Sequence, residues 1–543
     1  DRSVSRGLGD VYKRQILYFL TLLAAGMLAG CLDNFDEYNR NPNETTDDQL
    51  NNDNYLVGSK ITGMQNNVVP TEEHLYQFSE ILVGDAHAHY DGSTPEWTNR
   101  FETGTPPTNW VKAVFVDPIT NLYTYYRGIV SRSDNEVILA LADVLRVASM
   151  HRLTDQFGPI PYTKIAENGG EELTTAYDDQ QTVYTAMFGE LDAALAVFEA
   201  NTGLSSEALA DYDMVYYGDI SKWMKFTNSL KLRMAMRLSY IAPDVARSKA
   251  AEAIAAGVIT ANADNAEFHP VLNRLAMIWN EWQDHVIGAD ILCYMNGYED
   301  PRREKMFTTV DVTETIPDPD TGQPVEITRQ VYQGIRIGVM PASAQAAKTQ
   351  CSFPLITEQS PVKWMNAAEV AFLMSEYQLR WGTMSEAGAL YKKGVALSFE
   401  EWGAGKADAY LADATLKPAA YVDPLNGGHG FAAQSTITPV WNDEDTQETA
   451  LERIITQKYI ALFPLGNEAW AEYRRTSYPR LMPIPDDCDK SGGTITPKYG
   501  ARRVPYPAEE YAENRANVEA AVQMLGGADN AGTRLWWDCK PLN

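Results

Sequence analysis

The sequence predicts a mostly α fold, in which pairs of helices form a scaffold and carry long irregular insertions and a few short strands. Two observations predict it: apolar residues recur at helical spacing in four stretches of similar size, and the segments between them have no such period. The first pair is expected near 133–198, with Val137, Leu141, Val144, Leu145 and Ala148 on one helix face and Val183, Met187, Leu191, Leu195 and Phe198 on the next. The second, near 221–257, takes Ser221 as its N-cap, carries Trp223, Phe226, Leu230 and Met234 along one stripe, passes Pro243 and stops at Gly257. The third, near 362–403, has a stripe of Val370, Leu373, Met374, Tyr377 and Trp381 that ends at Gly382, followed by Leu390, Tyr391, Val395 and Trp402. The fourth, near 446–475, breaks at Pro464 and Gly466 and resumes at Asn467.

Four helix–turn–helix units of this size read as degenerate tetratricopeptide-type repeats, each burying its apolar face against a neighbour. The units are not consecutive. The insertion 262–361 separates the second from the third, and Gln330 to Ile337 alternates within it like a short strand. Irregular insertions on a rigid scaffold are where binding residues concentrate. No Gly/Ser-rich or Pro-rich linker divides the chain, so 31–543 is expected to form a single domain.

The chain begins with Asp1, and residues 1–15, which have no apolar period, read as a non-native tail. Ile16 to Met27 is an apolar run shorter than the ~20 residues that span a bilayer, and Leu28, Ala29 and Gly30 place small residues just before Cys31. That pattern is a lipobox. It assigns 16–30 as a lipoprotein signal peptide and Cys31 as the lipidation site, so the mature protein is expected to be anchored rather than membrane-spanning. Removing residues 1–30 takes away Arg2, Arg6, Lys13 and Arg14 against Asp1 and Asp10, which moves the net charge from −28 to −30. Such a surface repels phosphates, and no Lys/Arg cluster interrupts it, so nucleic acid is excluded as a partner.

Catalytic signatures are missing: the sequence has no G-x-S-x-G, H-E-x-x-H, G-x-x-x-x-G-K-[ST] or G-x-G-x-x-G string. A surface glycoside hydrolase remains the enzyme-class alternative, because it needs only two carboxylates and the chain has 73 Asp and Glu residues. Asp85, His87, His89 and Asp91 would share one face of an extended segment, but they read as a polar exposed loop and not as a metal site. Asp318, Asp320 and Gly322 resemble the start of a calcium loop with the glycine one position early, and read as a turn. No metal and no cofactor is assigned. Cys293, Cys351, Cys488 and Cys539 are too scattered for a disulfide framework, although one or two bridges are compatible with an oxidising location.

Several strings carry a resemblance when taken in order. Asp155 to Tyr162 reads D-Q-F-G-P-I-P-Y; Asp213 to Asp219 reads D-M-V-Y-Y-G-D and leads into Trp223 to Arg237. Downstream come Asp300-Pro-Arg302, Gln457-Lys-Tyr459, Glu468-Ala-Trp470, Arg474-Arg475, Tyr478-Pro479, Arg503 to Pro507 and Trp536-Trp537-Asp538. Together with the lipobox this set resembles the SusD/RagB family of nutrient-binding outer-membrane lipoproteins, from Cys31 nearly to the C-terminus. The resemblance implies a SusD-like fold, a lipid-anchored protein on the outer membrane facing the cell exterior, no enzymatic activity, and service as the lid of a SusC-like TonB-dependent transporter. The cargo it implies is an oligosaccharide, with peptide capture by a RagB-like lid as the alternative.

On their own residues most of these strings read as structural. Trp223 and Phe226 lie on an apolar stripe, and Arg474 and Arg475 suit pairing between repeats through their guanidinium forks. Ligand chemistry is better sought in aromatic loops, since the C–H faces of sugar rings stack on Trp and Tyr while neighbouring polar groups bind hydroxyls. Two segments combine these residue types. One runs from Tyr90 to Trp110 with Trp97, Asn99 and Arg100; the other runs from Trp279 to Tyr294 with Trp282.

Overall fold

Asparagine 135 sets the first long pair: its Oδ1 accepts from the backbone N–H of Val137 and Ile138 and caps the helix Glu136–Phe157. The computed structural model describes residues 55–95, 97–167, 174–202 and 207–542. The proposed tail, the signal peptide and Cys31 lie outside them. From Val57 onward the chain forms one compact unit. In chain order its main helices are α1 (Thr108–Val130), α2 (Glu136–Phe157), α3 (Gln180–Ala200), α4 (Ile220–Arg237) and α5 (Pro243–Ala256). They continue with α6 (Ala289–Gly297), α7 (Ala367–Trp381), α8 (Met384–Glu401), α9 (Gln447–Leu462) and α10 (Gly466–Thr476). Helices α2 and α3, α4 and α5, α7 and α8, and α9 and α10 pack as pairs at the places where the apolar period occurs.

Local chemistry sets the ends of these helices. Asp179, Asp219, Asn366, Thr383 and Thr446 each place a side-chain oxygen on an N–H of the first turn. Ser221 is therefore not the cap of α4: its hydroxyl donates to Asp219 Oδ1 at 2.6 Å, and that same carboxylate accepts from the N–H of Ser221 and Lys222. Gly158 ends α2 at φ 90°, and a Cβ there would lie 2.9 Å from Leu525, so the D-Q-F-G-P string needs glycine for both conformation and space. Asp213 organises the next string. Its carboxylate accepts from Gln65, from the backbone of Val215, Tyr216 and Gly218, and from Trp223 Nε1 at 2.7 Å. Trp223 and Phe226 are core residues, as expected.

Among the described residues three two-stranded ribbons accompany the helices: β1 (Asp91–Ser93) with β3 (His285–Ile287), β2 (Ala266–Phe268) with β6 (Val362–Met365), and β4 (Val310–Pro317) with β5 (Pro324–Val331). The β2–β6 pairing joins the two ends of the long insertion. The alternation from Gln330 to Ile337 is a strand only as far as Val331. Beyond it Gly334 passes so close to the backbone of Ile287 and Gly288 that a Cβ would collide with the Ile287 carbonyl, and Ile335 then bonds to Ile287 and Ala289. Asp318 accepts from Asp320 N, Thr321 N and the Thr321 hydroxyl and makes the β4–β5 turn, so this segment is the turn that was expected.

The third pair departs from its expected stripe. Met374, Tyr377 and Trp381 are only half-buried, whereas Glu369, Ser375 and Glu376 are buried with Val370 and Leu373. The cause is a set of ion pairs through the centre of the fold. Arg237 of α4 meets Asp155 of α2 at 3.1 Å, Glu468 of α10 at 2.6 Å, and Glu472. Arg233 forks onto Glu369 of α7 at 2.7 Å for both oxygens. Arg475 forks onto Glu376 at 2.6 Å and also holds Glu472, which Lys458 of α9 reaches at 3.1 Å. Arg475 pairs across repeats as its guanidinium suggested, and Arg474 lies over the Trp470 ring at 3.5 Å and donates to backbone carbonyls.

Burial alone would raise the pKa of Glu376, Glu468 and Glu472, but the guanidinium and ammonium groups facing them outweigh it and hold all three below the ordinary 4.5. Their stabilisation is therefore complete above the unfolded value and is lost as pH falls through the lower folded values. Glu472→Ala, which takes one carboxylate partner from each of Arg237 and Arg475 and the near partner from Lys458, should cost about 3–5 kcal/mol in urea unfolding at pH 7. Wild-type stability should fall below about pH 4.5, and a flat urea midpoint from pH 7 to pH 3 would contradict this account.

Candidate functional site

The two aromatic segments, almost two hundred residues apart in the chain, meet through their backbones. β1 runs antiparallel to β3 with Asp91 opposite Ile287, Gly92 opposite Val286 and Ser93 opposite His285. The pairing is extended at both ends: Thr94 N donates to Asp284 O at 2.8 Å, Thr94 Oγ1 to Gln283 O at 2.7 Å, and Gly288 N to Tyr90 O at 2.6 Å. Beyond the ribbon the side chains form one run of rings. Trp97 stands edge-on to Trp110 at 5.3 Å and lies 5.9 Å from His285, which in turn meets Trp279 at 6.1 Å; Phe78 and Phe101 back Trp110.

Exposure divides the eight candidate residues. Trp97, Trp110 and Trp282 are half-buried, and Asn99 is exposed. Tyr90, Arg100, Trp279 and Tyr294 are buried and offer no surface to a ligand. Tyr90 donates its hydroxyl to Tyr459 O and packs on Tyr459 and Phe463; Tyr294 donates to Arg480 O at 2.9 Å. Arg100 pairs with Glu102 at 3.2 Å and donates to Gly338 O at 2.5 Å, so its charge is spent inside the loop. Trp282 packs against His74 at 4.9 Å and precedes Gln283, which sits in the left-handed region at φ 55° and ends a short π-helical turn. A non-glycine residue there costs roughly 1–2 kcal/mol, and the turn it closes carries Trp282.

The same two segments expose Asn99, Asn280 and Glu281 beside the rings and leave Gln283 and Asp284 half-exposed. Burial raises the Asp284 carboxyl from its ordinary value against the opposing pull of Lys348. His285 is held by Gln77 at 3.0 Å and pushed down to about 3 by burial, so its ring is neutral. The surface therefore offers flat apolar faces edged by hydrogen-bonding groups. That chemistry suits binding.

The Asp85 to Asp91 segment lies behind this surface and is buried, not an exposed polar loop. It is helical as far as His87, so the four side chains do not line one face. His87 stacks on Trp470 at 4.5 Å, His89 pairs with Asp290 at 2.8 Å, and the Asp85 and Asp91 carboxyls are both raised well above the ordinary range by burial, Asp85 further by the neighbouring Asp91. With 0% and 2% of their surface exposed, these two carboxyls cannot flank a scissile glycosidic bond. Cys293, Cys351, Cys488 and Cys539 are free thiols. Sequence reasoning missed His74, Phe78, Phe101 and His285. Of these His285 lies on the ribbon, whose three-residue strands leave no period to read, and His74 and Phe78 come from the preceding helical stretch, which only the fold brings to the tryptophans.

A helical-pair scaffold with an aromatic surface on paired insertions defines a ligand-binding class of protein. Comparison with known proteins agrees with that class. The SusD-like family, described as Susd and RagB outer membrane lipoprotein, matches residues 37–538, and the chain belongs to it. A SusD homologue from Bacteroides thetaiotaomicron is 43% identical with a TM-score of 0.81, over 89% of this chain and 99% of its own. One from Bacteroides uniformis is 39% identical with a TM-score of 0.81, over 90% and 100%. A homologue from Flavobacterium johnsoniae, described as chitin-binding, is 34% identical with a TM-score of 0.81, over 89% and 99%. No curated protein matches the chain. Among the described residues no helix is long and apolar enough to cross a membrane.

The burial pattern separates two kinds of tryptophan. Trp279→Ala should cost about 3–5 kcal/mol of stability as a buried ring, and Trp282→Ala, half-exposed, well under that. Equal shifts in urea midpoint for the two variants would contradict the assignment.

Proposed function

We propose that the protein is a cell-surface lipoprotein, anchored through Cys31, that captures an oligosaccharide at the surface of Trp97, Asn99, Trp110 and Trp282. In this reading it delivers the glycan, chemically unaltered, to a SusC-like TonB-dependent transporter of the outer membrane, over which it closes as a lid. The observation that carries the glycan reading is the half-exposed pair Trp97 and Trp110, which His285 of the β1–β3 ribbon ties to the segment that carries half-exposed Trp282, with amide and carboxyl groups on the same two segments. Stacking needs faces of this kind, and hydroxyls need such neighbours. The chitin-binding description of the Flavobacterium relative supports a carbohydrate over a peptide. Trp279 backs His285 beneath the rings, whereas Tyr90, Arg100 and Tyr294 are tied into the interior and not into the ring surface.

Affinity is expected between millimolar and micromolar, about −4 to −8 kcal/mol, because a few stacked faces must offset the ordering of a flexible chain. Calorimetry against chito-oligosaccharides, other glycans and tryptic peptides should give binding to a glycan with no new reducing ends. Trp97→Ala and Trp282→Ala should each weaken it by more than about 1 kcal/mol. Binding of peptides alone, or full affinity in both variants, would remove the glycan reading.

Anchoring and partnership are tested together in native membranes. Wild-type protein should take up palmitate, be shaved from intact cells by protease, and leave mild detergent with a large barrel, across an interface above about 1,200 Å². Cys31→Ala should be released from the membrane. Retention of that variant, or recovery of the wild type only as a lone monomer, counts against the respective half of the proposal.

A further inference from the structure

The segment Tyr421 to Phe431 closes on itself through a pair of backbone bonds, Tyr421 N to Phe431 O at 2.7 Å and Phe431 N to Tyr421 O at 3.0 Å. Inside the loop Asp423 is fixed by two backbone donors: Leu425 N to Oδ1 at 2.9 Å and His429 N to Oδ2 at 3.1 Å. The fixed carboxylate faces His429 Nδ1 at 3.6 Å. Gly427 leaves room for this approach, since a Cβ there would lie 2.8 Å from His429 Nδ1 and 3.1 Å from Asp423 Oδ2. The other ring nitrogen of His429 points at a turn from a distant part of the chain. Nε2 lies 3.5 Å from Asp487 Oδ2, and Cys488 Sγ lies 3.7 Å from Asp487 Oδ1. Arg336 holds the two segments in register by donating to His429 O at 3.1 Å and to Pro483 O at 2.6 Å.

One imidazole nitrogen, one thiol and one carboxylate thus converge, with their donor atoms within 4.8 Å of one another. Donors about 2.0–2.3 Å from a tetrahedral zinc ion stand about 3.3–3.8 Å apart. His429 Nε2 stands 3.5 Å from one oxygen of Asp487, inside that interval, and Cys488 Sγ stands 3.7 Å from the other oxygen of the same carboxylate. The far ring nitrogen faces a buried, backbone-anchored carboxylate at 3.6 Å, on the side from which such a group orients a metal-bound histidine once the contact closes to a hydrogen bond. At 3.5 Å the His429–Asp487 contact is longer than an ordinary N–H···O hydrogen bond.

We infer that His429 Nε2, Asp487 and Cys488 bind a divalent transition ion of the zinc class, with Asp423 as the carboxylate that positions His429. Three protein donors leave a fourth position for water on the open side, where the Asp487 side chain is 74% exposed. Binding releases the Cys488 proton to solvent, since the thiolate is the ligand. The ion would cross-link the 421–431 loop to a turn whose continuation supports the first aromatic segment: Lys490 N donates to Thr103 O at 3.3 Å, and Ser491 packs against Gly104.

The test uses the full chain, stripped with chelator and titrated with Zn²⁺ and with Co²⁺ as a coloured probe. One ion per chain is expected, and the Co²⁺ form should show tetrahedral visible bands with a thiolate charge-transfer band. Cys488→Ser should abolish the charge-transfer band, and Asp423→Asn, which keeps the side chain's shape, should weaken Zn²⁺ about 10–100-fold. Melting of each metal-free variant at the wild-type temperature shows that the loss is local. Should a variant misfold, His429→Gln supplies the same readouts. An octahedral Co²⁺ spectrum without a thiolate band, or unchanged affinity in folded Cys488→Ser and Asp423→Asn, overturns the assignment.

Discussion

Ten charged side chains at the centre of the helical pairs constrain everything built around them. Asp155, Glu369, Glu376, Glu468 and Glu472 face Arg233, Arg237, Arg380, Lys458 and Arg475, all ten buried or nearly so. Isolated, each would cost several kcal/mol to desolvate, and the mutual attraction repays that only in good geometry with the remaining donors satisfied. Guanidinium forks supply the geometry. A helix displaced by one turn would leave a carboxylate or a guanidinium without its partner, so the network penalises alternative registers far more than a purely apolar core of the same volume.

That constraint frees the connections. The scaffold is fixed by α2, α4, α7, α9 and α10, so the insertion between α5 and α7 needs only to close at its base, which β2 and β6 do. Its interior can then reach across to the segment before α1 through β3 and β1. Loop segments held only at their ends would wander; these two share a ribbon, and their tryptophans have neighbours on both sides.

Legibility in the sequence followed the length scale of the signal. All four helical pairs were readable because each repeats its period over several turns, and their breaks at Gly158, Pro243, Gly382 and Pro464 are local steric facts. The caps were less readable: Ser221 and Asp219 are both good candidates, and only the hydrogen bonds choose between them. The face of α7 was misjudged because an apolar stripe ignores carboxylates, and Glu369 and Glu376 are buried through partners on other helices. At the candidate site the two segments were found by residue type, but type does not report exposure. Arg100 looks like a ligand donor until Glu102 and the Gly338 carbonyl are seen to hold it. The His429, Asp487 and Cys488 cluster has no sequence signature, since its members are drawn together from separate loops by Arg336.

The buried half of the candidate residues bears on how the exposed half can act. A stacking face is useful only if its ring is held at one angle, since an exposed indole free to rotate loses conformational entropy whenever a ligand arrives. Here Trp97 is wedged between Trp110 and His285, His285 is fixed by Gln77 and backed by Trp279, and Trp110 rests on Phe78 and Phe101. The ordering is complete before any ligand binds. The neutral His285 at the hub adds no charge, and the protein's net charge of −28 sets up a field that opposes anions at the surface as a whole. Rigid, uncharged aromatic faces in an acidic protein favour an uncharged, ring-bearing ligand over a polyanionic one, which is the physical ground on which the glycan reading rests.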